Sequence, residues 1–329
     1  MAIVQTRRQF LTTLSAAGAA GMVRAPPSQA ADGALETTTV RIVKTPGICL
    51  APQFVSEELL RAEGFTDIGY VEETPTNMAL AIGRGEADFS TGEATFLIQA
   101  IVGGAPLVVV GGVHVGCIEL FAQQNIRHVG ELKGKRVAAD APWLLNVIAA
   151  QVGLDPAKDL DWVSNSAVNS LELFAQGKID AFLAFPPTPQ ELRARRVGHV
   201  LISTAADRPW SEYFCCMLFG NREYIRNHPV ATKRAMRAIL KAADLCATQP
   251  ERVARRLVDG GFTPRYDYAL QTLSDVPYDR WREYDPEDTM RYYALRLYEL
   301  GILKSTPQKI IAENTDWRFF NELRRELKG

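Results

Sequence analysis

Apolar positions in this chain follow two alternating rhythms. Short β-branched runs give way to segments whose apolar residues recur every third or fourth position. Thr39 to Lys44 reads as a first strand, bounded by Pro46-Gly47. Pro52 to Glu63 carries Phe54, Val55, Leu59 and Ala62 at helical spacing, with Gly64 as its stop. Ile68 to Glu72 is the next strand. Asn77 is placed to cap a helix through Ile82, its side-chain oxygen accepting an otherwise unpaired N–H. A strand then opens at Asp88, Ala94 to Val102 forms a buried helix, and Leu107 to Val110 forms a buried strand. Such alternation predicts an α/β fold with a mainly parallel sheet covered on both faces.

The same pattern then returns. Asn77, Gly85 and Asp88 recur 92 residues later as Asn169, Gly177 and Asp180, and Val108-Val109-Val110 recurs as Val200-Leu201-Ile202. That period is far longer than the roughly 20 to 50 residues of a solenoid unit, so it predicts two similar lobes facing across a cleft. The second lobe begins near Lys133 to Ala138. Helices are expected at Leu144 to Ile148, Leu171 to Gln176 and Gln190 to Arg196, and strands at Leu160 to Val163, Ala181 to Phe185 and His199 to Ser203. Ile118 to Gln123 and Tyr213 to Phe219 are expected to be the two crossover strands. Past Gly220 come amphipathic helices at Val230 to Thr248, Glu251 to Val258, Pro286 to Leu300 and Pro307 to Asn314, expected to brace the first lobe. The expected domains are therefore residues 38–120 with 218–329, and residues 121–217.

Composition adds constraints. Hydrophobic content of 47%, charged content of 23% and a net charge of -1 describe a chain with a full core and no electrostatic footprint for nucleic acid. At the N-terminus, Thr6-Arg7-Arg8-Gln9-Phe10-Leu11 resembles a twin-arginine export motif. A mildly apolar run from Leu11 to Val23 follows, too short to anchor in a bilayer, then Arg24 and small residues suited to cleavage after Ala30 or Ala31. Residues 1–31 are read as a signal peptide that delivers a monomer to the periplasm without membrane insertion. The five cysteines have no regular spacing and are read as buried hydrophobes, with adjacent Cys215 and Cys216 on opposite faces of a strand.

Several stretches carry a family resemblance. Asn77…Ile82-Gly83…Gly85-Glu86-Ala87-Asp88-Phe89, Glu131-Leu132-Lys133-Gly134-Lys135-Arg136-Val137-Ala138 and Gln176-Gly177-Lys178-Ile179-Asp180-Ala181 are similar to the substrate-binding proteins of ABC importers. Within the type II periplasmic-binding group they most resemble the nitrate, sulfonate, taurine and thiamine-pyrimidine precursor branch. The resemblance runs clearly from Val40 to Gly220. It implies a small-molecule ligand held between the lobes, and a membrane permease with its ATPase subunits as partners.

Ligands of open α/β sheets sit at the carboxyl ends of the strands. That rule and the resemblance together nominate Thr45, Gly47, Gly92, Glu93, Ala94 and His114 in the first lobe, Glu119 on the crossover, and Trp143, Asn165 and Phe185 in the second. Anion-binding relatives often carry a small Gly/Ser/Thr cluster where Asp140-Ala141-Pro142-Trp143 stands here. Trp143 and Phe185 would offer flat apolar faces, while Glu93 and Glu119 would repel nitrate or sulfonate. The favoured ligand is an amine-bearing or aromatic heterocycle, with a sulfonate, taurine or nitrate binder as the alternative. A pyrimidine synthase is the catalytic alternative implied by the resemblance, since Cys215-Cys216 echoes part of that branch's Cys-rich, iron-linked motif but lacks the full run. No nucleophile elbow, phosphate loop or zinc-type spacing is present, and His114, Cys117, Cys49 and Glu119 match no standard metal pattern. The sequence thus points to no catalytic residues, metal or cofactor.

Overall fold

Strand β1 (Thr39–Lys44) runs parallel to β2 (Asp67–Glu72) and to β3 (Phe89–Glu93) in a computed structural model that describes residues 32–163 and 167–328. Residues 1–31, read above as a signal peptide, and Ser164 and Asn165 lie outside the described residues. From Ala34 onward the chain forms one unit. Its strands continue as β4 (Leu107–Val115), β5 (Glu119–Ala122), β6 (Lys135–Ala139), β7 (Leu160–Trp162), β8 (Ala181–Ala184), β9 (His199–Ser203) and β10 (Phe214–Asn221).

Two five-stranded sheets result, ordered β2-β1-β3-β10-β4 and β7-β6-β8-β5-β9. The repeat read in the sequence is the repeat of topology: β1, β2, β3 and β4 correspond to β6, β7, β8 and β9. Each sheet also takes in one antiparallel strand, β10 between β3 and β4, and β5 between β8 and β9. These are the segments expected to be crossovers. Each is the strand laid down just after the chain changes sheet, so it enters from the opposite direction and makes the sheet mixed.

The crossing itself is compact. Thr204 is buried, and its hydroxyl accepts from the N–H groups of Cys117 (3.2 Å) and Ile118 (3.0 Å) and donates to the Ile118 carbonyl (2.9 Å). Gly116 has φ +35, and a Cβ there would lie 2.3 Å from the Ala205 backbone, so only glycine lets the two passages touch.

The repeated aspartates hold the parallel strands. Asp88 accepts from the Arg41 backbone N–H (2.7 Å) and from its guanidinium (2.7 Å at Oδ1), locking β1 against the start of β3. Asp180 grips Arg136 in the same way at 2.9 and 3.0 Å, locking β6 against β8. Asn77 does not act as expected. It precedes the helix Met78–Gly83 but makes no side-chain capping bond: its backbone is already helical (φ -97, ψ -17) where a capping residue is extended. Asn169 falls inside the helix Ala167–Ala175. The segment 52–63 divides into helices Ala51–Phe54 and Glu57–Ala62.

C-terminal helices pack mainly on the first sheet. Helix Pro229–Thr248 brings Arg237 to Glu63 at 2.7 Å, and the segment at Thr315 bridges in parallel to Val109. Helix Tyr266–Asp275 reaches further, its Asp275 pairing at 2.7 Å with Arg193, which follows β8 in the second half.

Asp88→Ala should cost about 1.5–2 kcal/mol of unfolding free energy, because it removes the buried acceptor of a half-buried N–H and of a guanidinium that water can partly reach. Asp180→Ala, at a more exposed clamp, should cost about 1 kcal/mol. Urea melts of both variants check the order.

Candidate ligand cleft

The carboxyl ends of β1, β3, β6 and β8 open onto one cavity of about 630 Å³ between the sheets. Its size falls within the several-hundred Å³ range typical of small-molecule sites. The first half contributes Thr45, Gly47, Leu50, Met78, Gly92, Glu93 and Phe96, and the second contributes Asp140, Pro142, Trp143 and Phe185. An Ile48 N–H to Pro186 carbonyl bond (3.3 Å) joins the two rims.

Glu93 ends β3 and caps the helix Ala94–Val102. Its carboxylate accepts from the N–H groups of Thr95 (2.9 Å) and Phe96 (3.0 Å) and from the Thr95 hydroxyl (2.6 Å). Burial, aided by the nearby Cys215, nevertheless pushes its pKa up to about 7. A Cβ at Gly92 would lie 2.9 Å from the Met78 methyl and 3.2 Å from the Phe219 ring, so a side chain there would press on the cavity wall. Across the cleft, Asp140 accepts from the Phe185 N–H at 3.3 Å through Oδ2, while its Oδ1 is buried without a partner. Burial pushes Asp140 up to about 7 as well. The Thr45 hydroxyl is likewise buried and unpartnered. Phe96 and Trp143 meet at 6.2 Å with their planes tilted by 50°.

The nominated residues are distributed as follows. Thr45, Gly47, Gly92, Glu93, Trp143 and Phe185 line the cavity; Ala94 is buried directly behind Glu93. Asn165 lies outside the described residues. Glu119 turns away from the cavity, where Arg193 pairs with it and with Asp275. His114 is fully buried behind the cavity wall, with its Nδ1 3.2 Å from the Val115 carbonyl and its Nε2 unpartnered.

Sequence reasoning did not nominate Asp140 or the cysteines of the cavity floor. Asp140 stands four residues beyond the clamped Arg136, as Thr45 stands four beyond Arg41, so the clamp register was the available signal. Cys215 and Cys216 were expected on opposite faces of their strand. Both line the cavity, because β10 bulges against β4 between Phe214 and Met217 and redirects one side chain. Sulfurs from Cys49, Cys117 and Cys216 and one nitrogen of His114 all lie within 4.8 Å of one another, and the Cys215 sulfur is 3.3 Å from that of Cys117.

Two α/β halves with a cavity at their strand ends define the periplasmic-binding-protein fold. The chain belongs to the NMT1/THI5-like family, whose model matches residues 62–253. Its fold is similar to that of the periplasmic nitrate-binding protein NrtA from Synechocystis PCC 6803, at 14% identity over 90% of each chain and a TM-score of 0.76. It is also similar to the alkanesulfonate-binding protein SsuA from Xanthomonas axonopodis pv. citri bound to MOPS, at 20% identity over 83% of this chain and 96% of that one, TM-score 0.65. The aliphatic sulphonate binding protein SsuA from Escherichia coli shares 20% identity over 82% and 90% of the two chains, also at 0.65. No curated protein matches the chain by sequence.

A carboxyl raised in the folded state stabilises below its unfolded value and loses that contribution as pH rises through the folded one. For Glu93 the window is about 4.5 to 7. Glu93→Gln should therefore gain up to about 3 kcal/mol on the wild type between those limits, and the gain should plateau above pH 7. Unfolding curves of both proteins from pH 4.5 to 8.5 read it directly; a pH-independent difference would show that Glu93 titrates normally.

Proposed function

We propose that this chain is the solute-binding component of an ABC importer and that its cargo is a small organic cation or amine-bearing heterocycle. The observation that carries the reading is the charge of the cavity: two carboxyls face it, and none of the described residues lining it is Lys, Arg or His. A nitrate or sulfonate would meet like charge in a poorly hydrated space, at a cost of several kcal/mol. A protonated amine would instead find two carboxylates, and its flat apolar part could lie against Phe96, Trp143 and Phe185, where ring contacts add about 0.5–1.5 kcal/mol beyond burial.

Nothing in this reading needs a bond to be made or broken. Cargo biases an equilibrium between open and closed halves, with the crossing at Gly116 and Thr204 as the hinge, and the closed form docks on the permease. Among the described residues no helix is long and apolar enough to cross a membrane. The paired Arg7 and Arg8 would direct the chain through twin-arginine export to the periplasm.

A thermal-shift panel of amines, pyrimidines, aromatic acids, sulfonates and nitrate tests the cargo class. A heterocyclic amine at a hundredfold excess over Kd should add about 2.7 kcal/mol of stability. Its affinity should rise with pH through about 7, as Glu93 and Asp140 ionise. Trp143→Ala should weaken binding while leaving the melt of the empty protein nearly unchanged. A melt shifted by taurine or nitrate and by no amine would overturn the assignment.

Export is checked separately. Replacing Arg7 and Arg8 by lysine should leave the protein in the cytoplasm, as cell fractionation would show.

A further inference from the structure

We propose that Cys49, His114, Cys117 and Cys216 form a Cys₃His site for a thiophilic divalent cation of the zinc class, set into the floor of the cleft. The four side chains come from three separate parts of the fold: the turn after β1, the last residues of β4 with the crossing that follows, and the bulged strand β10. Their donor atoms nonetheless lie within 4.8 Å of one another. A tetrahedral ion with bonds of about 2.0 to 2.3 Å needs donors about 3.8 Å or less apart, so a contraction of about an ångström closes the site.

The histidine supplies the second line of argument. His114 is 0% exposed, and its Nε2 has no hydrogen-bond partner. A buried imidazole nitrogen left without a partner is costly unless something occupies it. Its Nδ1 sits 3.2 Å from the Val115 carbonyl, an acceptor that calls for the Nδ1–H tautomer and leaves the Nε2 lone pair free, the arrangement usual for metal-ligating histidines. Tyr278 buttresses the group from behind, its ring edge-on to His114 at 5.1 Å and its hydroxyl donating to the Cys49 carbonyl at 3.0 Å. The β10 bulge brings Cys216 opposite His114 in register.

The three thiols also line the cavity, so an ion can reach them from the cleft. Metal binding would displace three thiol protons and leave the site with one net negative charge.

Zinc or cobalt added to the full, reduced and chelator-treated chain should bind at one equivalent. The cobalt form should show the strong visible bands of a tetrahedral ion and thiolate charge-transfer absorption in the near ultraviolet. His114→Ala and Cys216→Ser should each weaken zinc by more than the roughly 10–100-fold that loss of an outer-shell partner costs. Cys246→Ser, a buried cysteine outside the cluster, should leave affinity unchanged. Weak six-coordinate cobalt spectra on the wild-type chain would overturn the assignment, as would equal affinity in the His114 and Cys216 variants. So would recovery of the exported protein with Cys117 and Cys215 joined as a disulfide. None of these readouts involves the organic cargo, so a failure here leaves the reading of the cleft standing, and the converse also holds.

Discussion

The cleft depends on two carboxylate–arginine clamps. Parallel strands joined through helices have no hairpin to set their register, so something else must decide which residues end level with one another. Asp88 does this by taking both the backbone N–H and the guanidinium of Arg41, and Asp180 does it for Arg136. A slip of one residue would turn every side chain on the strand to the other face. With the clamps closed, Thr45 and Glu93 leave their strands on the same rim, and Asp140 and Phe185 leave theirs on the facing one. The polar ends of the cavity are thus set by ion pairs at the opposite ends of the strands.

A second constraint follows from that geometry. Loops at strand ends present free backbone N–H groups, a setting that normally suits anions. In this chain those donors are already engaged by the protein's own carboxylates: Glu93 takes the N–H groups of Thr95 and Phe96, and Asp140 takes that of Phe185. The cavity has in effect been given built-in anions. Burial makes both carboxyls reluctant to ionise, so that a cation placed in the cavity would favour loss of their protons.

Legibility in the sequence divided along physical lines. The strands were readable, because β-branched runs such as Leu107 to Val110 and His199 to Ser203 carry their burial in composition; their order within the sheets was not. The doubling was readable too, because the clamping aspartates recur at a fixed offset. Helices Arg222–Asn227, Tyr266–Asp275 and Arg318–Glu326 were not read, since segments this short are marginal alone and owe their stability to docking. The aromatic and carboxylate rims were partly legible, as strand-end positions. Of the sulfur cluster, Cys49, His114 and Cys117 were grouped in the sequence, but with Glu119 in place of Cys216, which stands 99 and 102 residues from Cys117 and His114 and is brought in by a bulge that no local spacing encodes.

The cluster's location separates two kinds of contact in the cleft. Cys49, His114 and Cys216 all belong to the half built on the first sheet, and Cys117 lies on the crossing beside it. Trp143, Asp140 and Phe185 belong to the other half. Opening and closing would carry the aromatic and carboxylate wall toward and away from a floor whose own donors keep their spacing. Cys117 is the exception, since Thr204 binds its N–H and so ties it to the returning passage of the chain. An ion held by Cys117 would therefore stiffen the hinge itself, on the side where Gly116 leaves no room for a side chain. The floor and the hinge share one residue, and changes at either should be felt at the other.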